Sequence, residues 1–191
     1  METSKVFVLD GGNTHIKLGT FEGHQLLQTQ RFQERTALGN LLKSTDKVVV
    51  ANVGELQLQQ DLIDMGCQVY TVSNSSLLPF TNAYKTPSTL GIDRLCNIVA
   101  AHEYYPNRNI LVIDAGTCIK FDFIDYLGTY HGGSISPGLS LRYQSLHEHT
   151  TQLPLLSPTL AWEIIGTSSE VSIHSGVMGS AIAEINWRIE E

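Results

Sequence analysis

Apolar and polar positions alternate almost from the start of the chain. "KVFVLD" (5–10), "HIKLGTF" (15–21) and "QLLQTQRF" (25–32) read as strands, and the turn formers "GGN" and "EGH" between them predict a meander of hairpins. A short helix is expected near Ala37 to Leu42. The apolar strand "KVVVANV", a helix through Glu55 to Met65 and the strand "CQVYTV" follow. Strands succeeded by a β-α-β segment indicate a mixed sheet.

Between Ser73 and Pro87 the stretch "SNSSLLPFTNAYKTP" interleaves Ser, Asn and Pro with Leu, Phe and Tyr. That mixture predicts an irregular connection across a cleft rather than a disordered linker. A helix comes next, with Ile92, Leu95, Cys96, Val99 and Ala100 as its apolar stripe, and Pro106 in "YYPN" stops it. The last stretch, Ser168 to Glu191, has helical periodicity through Val171, Val177, Met178, Ala181, Ile182, Ile185 and Ile189. Thr167 and Glu170 are spaced as a capping box at its start.

From Asn109 the opening pattern returns as "NILVID", a glycine turn, "CIKFDFI", a turn near Gly128 and "TYHGGSISPG". "VLDGGNTHIK" laid over "VIDAG-TCIK" aligns the apolar run, the Asp, the Gly, the Thr and the Ile-Lys pair. Internal repetition of this kind means two similar units that stack around a shared core, here with a cleft between them. The expected division is 1–90 and 91–191. No strand follows the last helix, so the second unit is expected to be short at its C-terminal end.

Bulk properties narrow the function classes. The chain has 191 residues, 42% of them hydrophobic, enough for a globular core. Twelve basic residues against 19 acidic ones leave a net charge of −7, without the basic patch a nucleic acid demands. No window approaches the roughly 18 consecutive apolar residues of a membrane span, and the N-terminus lacks a signal-peptide core, so a cytoplasmic location is expected. Cys67, Cys96 and Cys118 are odd in number and lack metal-ligand spacing, which points to ordinary packing. His147 and His149 lack the spacing of a helical zinc site.

The two acid-glycine turns carry the candidate chemistry. A strand that ends in Asp and turns through Gly exposes backbone N–H groups and lets them approach a ligand closely, which suits phosphate. Asp10 or Asp114 can hold a cation, while Asn13, Thr14 and Thr117 offer neutral hydrogen bonds to phosphate oxygens. Asp-Gly and Gly-Asn are also common hairpin turns, so either turn alone has a structural explanation. Lys17 and Lys120, at matching repeat positions, face phosphate or simply edge a strand. Neither a Walker loop nor a dinucleotide fingerprint occurs.

Four motifs in order resemble the type III pantothenate kinases of the sugar-kinase, Hsp70 and actin superfamily. "DGGNTHIK" fits D-x-G-N-T-x-x-K, "YKTPSTLGIDR" fits Y-x-x-P-x-x-L-G-x-D-R, "DAGTCIKFD" fits D-A-G-T-x-x-x-x-D, and "GGSISPG" fits G-G-x-I-x-P-G. The resemblance implies an α/β fold of two repeated actin/ribonuclease H-like units, with mixed β-sheets, flanking helices and an interdomain cleft. It implies ATP-dependent phosphorylation of pantothenate to 4'-phosphopantothenate, the first step of coenzyme A synthesis. A homodimer, Mg²⁺ and a monovalent cation, K⁺ or NH₄⁺, are implied with it. About fifty further residues, bearing a Gly-rich turn beside adenosine, are expected of such a family.

Carried over residue by residue, the resemblance assigns ATP phosphate contacts to Asp10, Gly11, Gly12, Asn13, Thr14, His15, Ile16 and Lys17, with Asp10 toward Mg²⁺. It assigns the second phosphate contact to Thr117 and the monovalent cation to Asp114. Gly91, Ile92, Asp93 and Arg94 match the pantothenate segment, with Asp93 the general base and Tyr84 a substrate contact. "GTSSEVSIHSG" is similar to the family's G-x-N-T-x-x-A-I-x-S-G, which aligns Ser169 with a threonine that reaches substrate across the dimer.

The chemistry is consistent with those residue types. Phosphoryl transfer asks for charge neutralisation, in-line placement and an oriented hydroxyl nucleophile. A carboxylate at the start of an apolar helix stays ionised beside the partial positive charge there, ready to accept a proton. Asp93 can equally be a helix-start residue that satisfies free N–H groups. Arg94 can pair with the substrate carboxylate through its planar fork or salt-bridge to an acid, and Tyr84 can be packing. The "GGSISPG" stretch can be a strand-to-helix connection. The alternative function is a catalytically silent homologue that binds phosphate or nucleotide.

Overall fold

A computed structural model of the chain describes residues 5–11, 16–33, 35–52 and 56–191. The chain separates into two compact units, one of residues 1–79 with 84–100 and the other of 80–83 with 101–191. No helix among the described residues is long and apolar enough to cross a membrane.

In the first unit the predicted meander forms strands β1 (Lys5–Gly11), β2 (Ile16–Glu22) and β3 (Gln25–Phe32), each antiparallel to the one before. A 3-10 helix, Arg35–Asn40, leads to β4 (Lys47–Asn52), then α1 (Leu56–Asp64) and β5 (Gln68–Thr71). β4 runs parallel to β1 and β5 parallel to β4, so the sheet order is β3-β2-β1-β4-β5. This is the mixed sheet of an actin- or ribonuclease H-like unit. The alternation that marked the strands selects its buried face. Leu9 and Leu18 lie opposite one another in register, and with Ile16, Val48 and Val50 they pack on Leu38, Leu42, Leu58 and Leu62.

The second unit repeats the opening meander as β7 (Ile110–Ala115), β8 (Cys118–Ile124) and β9 (Thr129–Pro137). A two-residue strand, β6 (Thr81–Asn82), joins parallel to β9, giving the order β6-β9-β8-β7. Sequence reading missed β6, because two residues carry no periodicity. The helix expected from the Ile92 stripe is α2 (Ile92–Tyr104). Two further helices follow β9, α3 (Leu139–Glu148) and α4 (Ser169–Glu190).

Residues alternate strictly along β8. Ile119 and Phe121 turn to one face, where Leu111, Ile113, Leu139, Ala181 and Ile185 cover them. Asp122 and Ile124 turn to the other and are buried near Tyr130, whose ring meets Phe80 edge-on. Gly128 takes φ +75 in the turn between β8 and β9, the left-handed region that glycine enters without steric cost. The cap of α4 differs from expectation by one residue. Ser168, extended at φ −139 and ψ 168, accepts from the Val171 N–H, so Ser168 rather than Thr167 begins the helix.

Candidate active site

In the first unit the site residues gather where β1 ends and α2 begins. Asp10 is the penultimate residue of β1, and its Oδ2 accepts from Lys17 Nζ at 3.2 Å, directly across the β1–β2 ladder. Gly11, Ile16 and Lys17 flank the turn; Gly12, Asn13, Thr14 and His15 lie outside the described residues. The loop before α2 is tightly built. Pro87 opens a 3-10 turn, Pro87–Thr89, in which Thr89 donates both its amide and its hydroxyl to the Thr86 carbonyl. Asn74 Nδ2 donates to the Ser88 carbonyl, and Leu90 is buried behind the turn.

That turn delivers Gly91 to the helix start, where its carbonyl accepts from Leu95 N. Asp93 lies in the first turn of α2, and its Oδ1 accepts from the Arg94 N–H at 2.8 Å. The carboxylate folds back over Gly91. A Cβ at Gly91 would stand 2.5 Å from Asp93 Oδ1, so the glycine makes room for the acid. Arg94 is buried, with its guanidinium carbon 5.5 Å from the centre of the Tyr84 ring, a cation–π distance. Tyr84, Gly91, Ile92, Asp93 and Arg94 are therefore brought together at one helix end.

Asp10 also belongs to this neighbourhood. Burial pushes the Cys96 thiol above its ordinary range, and the negative charges of Asp10 and then Asp93 push it further. Both carboxylates are close enough to act on one sulfur, one turn into α2. A thiol shifted in this direction holds its proton at neutral pH.

In the second unit Asp114 lies directly across the ladder from Lys120, and Lys120 Nζ donates to Asp114 Oδ2 at 2.7 Å. The turn between them is closed by Gly116 N–H to the Cys118 carbonyl at 2.9 Å, which places Thr117 at its tip. The "GGSISPG" motif supports this turn. Gly138 donates its amide to the Thr117 carbonyl at 2.9 Å, and a Cβ on Gly138 would collide with the carbonyl oxygens of Gly116 and Thr117. Gly133 is required in the same way, because β9 passes against the Phe121 carbonyl. The motif is thus a strand-to-helix connection and also a buttress of the Thr117 turn.

Beside that turn Ala115 and Gly116 border an apolar hollow of about 320 Å³ with Leu139, Pro158, Met178 and Ile182. Ser169 lines a separate groove of about 770 Å³ with Ser172, Gly176, Ser180 and Arg142. Arg142 is locked there, donating from Nε to the Pro137 carbonyl, from Nη1 to Ser180 Oγ and from Nη2 to Glu184. Sequence reading did not single out Arg142. Nor did it assign a role to Asp122, the last acid of the "DAGTCIKFD" motif. Asp122 is buried and accepts from the Tyr130 hydroxyl at 2.6 Å, which offsets the cost of enclosing its carboxyl.

Similarity to known proteins agrees with this geometry. The family model for type III pantothenate kinase matches residues 6–191. A type III pantothenate kinase of Flavobacterium johnsoniae is 41% identical over 97% of this chain and 79% of its own length. One of Bacteroides fragilis is 38% identical over 95% of this chain and 77% of its own. A Campylobacter jejuni crystal structure, described as a conserved Baf family protein, superposes with a TM-score of 0.62 over 94% of this chain and 77% of that one. Its 20% identity speaks to the fold alone. With a mixed sheet in each unit, the four motifs in place and relatives of this closeness, the chain belongs to the type III pantothenate kinase family.

Proposed function

We propose that this chain transfers the terminal phosphoryl group of ATP to a hydroxyl of pantothenate, with Asp93 as the general base. The observation that carries the assignment is the placement of Asp93. It sits at a helix N-terminus over a glycine, in the neighbourhood of Asp10, with Arg94 and Tyr84 beside it. In the step itself the substrate oxygen bonds to the γ-phosphorus as the bond to the β-bridging oxygen breaks. ADP leaves, and the hydroxyl proton passes to Asp93. Arg94 pairs with the carboxylate of pantothenate through its planar fork while Tyr84 holds the guanidinium plane.

In the first unit the stretch Asp10 to Lys17 offers phosphate its backbone N–H groups and the Lys17 ammonium, and in the second unit the Thr117 turn offers backbone N–H groups and the Thr117 hydroxyl. A divalent ion fits Asp10. Its carboxylate is part-exposed and meets Lys17 through Oδ2, and no cluster of three acidic, histidine or cysteine groups forms among the described residues. Such a one-carboxylate site suits Mg²⁺, which keeps most of its ligands as water and phosphate oxygens. When bound it neutralises charge on the transferring group. The groove at Ser169 is where a second subunit of a homodimer meets substrate, with the serine hydroxyl as donor.

Coupled ADP release with pantothenate as acceptor, run beside a panel of other small alcohols, tests the reading. Turnover confined to pantothenate supports it. Calorimetric binding of nucleotide without turnover assigns the chain instead to the silent homologues.

A further inference from the structure

The monovalent cation that the family resemblance attaches to Asp114 does not fit the residues present here. The Asp114 carboxylate already has a cation against it, the Lys120 ammonium at 2.7 Å. That lysine is directly opposite in the β7–β8 ladder, and its side chain is only 17% exposed. A K⁺ ion on the same carboxylate would meet a like charge held in place by a strand.

We propose that Lys120 is a built-in substitute for that ion, and that catalysis by this chain therefore needs no K⁺ or NH₄⁺. The inference rests on the kinase reading above and adds a positioning residue to it. A lysine ammonium is a compact monovalent cation with three N–H donors, close in charge and chemistry to NH₄⁺. Cross-strand neighbours have Cβ atoms only about 5 Å apart, so the ladder itself keeps the ammonium over the carboxylate. Tethering turns binding into an intramolecular event, with an effective concentration at or above the roughly millimolar range. The result is a neutral Asp114–Lys120 pair at the base of the turn that carries Gly116 and Thr117. The turn can then present backbone N–H groups and a hydroxyl to phosphate without a bare carboxylate beneath them.

The partner hairpin supplies a control. Asp10 and Lys17 occupy the same register, but their side chains are 40% and 56% exposed and lie 3.2 Å apart. The two carboxylates are similarly exposed, Asp114 at 36%, so the difference lies in the lysine: Lys17 can swing into solvent and leave Asp10 to an ion, whereas the enclosed Lys120 ammonium stays on Asp114.

The test is the rate of ADP release at constant ionic strength as KCl is replaced by tetramethylammonium chloride. The wild-type rate is expected to change less than about twofold, whereas activation of about tenfold or more by K⁺ or NH₄⁺ overturns the proposal. Lys120→Ala is expected to lose at least about tenfold in tetramethylammonium and to recover on addition of K⁺ or NH₄⁺. Lys120→Arg stays indifferent to the ion. A Lys120→Ala protein whose loss no cation repairs overturns the proposal too, since the lysine is then only a strand residue. Thermal unfolding of the wild type covers the case in which that variant fails to fold. Its Tm is expected to agree within about 1 °C in the two salts, and a K⁺-specific rise of several degrees reports a bound ion and overturns the proposal. Tm needs no turnover, so a chain without kinase activity would sink the kinase reading while this measurement still judges Lys120.

Discussion

In the β1–β2 hairpin an ammonium reaches its carboxylate at 3.2 Å across two open side chains, whereas in the β7–β8 hairpin the equivalent pair closes to 2.7 Å with the lysine mostly enclosed. The acids occupy the same place at a strand end, and the lysines lie directly opposite in both ladders. The second turn is shorter by one residue and is pressed from behind by Gly138, for which the first unit offers no described equivalent. Duplication thus preserved the charges while packing changed their availability. The first hairpin leaves its lysine open to solvent, the second encloses its lysine, and the two carboxylates stay similarly exposed at 40% and 36%.

The largest effect is expected away from both hairpins. Asp93→Asn keeps the shape of the helix start but cannot accept the proton, so kcat should fall by about 10²–10⁴ with a much smaller change in KM for pantothenate. If ADP release by this variant matched the wild type, the base would lie elsewhere and the two hairpins would have to be reconsidered as the source of catalysis.

Next comes the contrast itself. Asp10→Asn should lower kcat by about 10²-fold, because an amide is a poor ligand for a hard cation, and Asp114→Asn should cost roughly tenfold or less. Steady-state rates over a range of Mg²⁺ concentrations would reverse the assignment of open and closed hairpins if Asp114→Asn proved the more metal-dependent.

Smaller and of a different kind are the two glycine substitutions. Gly138→Ala drives a methyl into the carbonyls of the second turn and should cost about 1–3 kcal/mol, or roughly 2–10 °C in Tm. Gly116→Ala meets nothing within 4 Å, so its fold should survive while KM for ATP rises. Equal melting temperatures for the two would show that Gly138 is not the support.

The smallest change concerns a third charged pair, at the far end of β8. The Asp125 carboxyl is held below the ordinary carboxylate range, first by its hydrogen bond with His131 and then by backbone N–H groups of Thr129 and Leu127. A lowered folded value means that the unfolded chain binds more protons in acid. The stability from Asp125 is therefore present above the ordinary carboxylate range and lost as pH falls through the lowered value. His131→Gln should weaken that acid dependence slightly, as read from urea midpoints at about pH 6 and about pH 3. Identical midpoint differences in the two proteins would mean that the backbone donors alone set it.

Much of this was legible in the order of residues because it depends on near neighbours. "VFVLDGG" and "LVIDAG" declare strands that end in an acid and a bend, and "LGIDR" before an apolar stripe declares a carboxylate at a helix start. The one-residue gap needed to align the two repeats foretold the shorter second turn. The two-residue strand at Thr81–Asn82 could not be read, since only its partner in β9 makes it a strand. Asp122 stood in a motif, yet its burial became visible only with Tyr130 folded against it.

By itself the sequence determined the two acid-tipped hairpins, the helix that carries Asp93 and the family to which the chain belongs, because each rests on local periodicity or on a contiguous motif. Tertiary structure alone decided that Gly138 braces the Thr117 turn, that Arg142 is pinned between Pro137 and Ser180, and that Lys120 is enclosed on Asp114 while Lys17 stays open on Asp10. The reason is physical. Pattern along a chain sets which way a side chain points, but how far water and ions are kept from it is set by segments that arrive from elsewhere in the sequence.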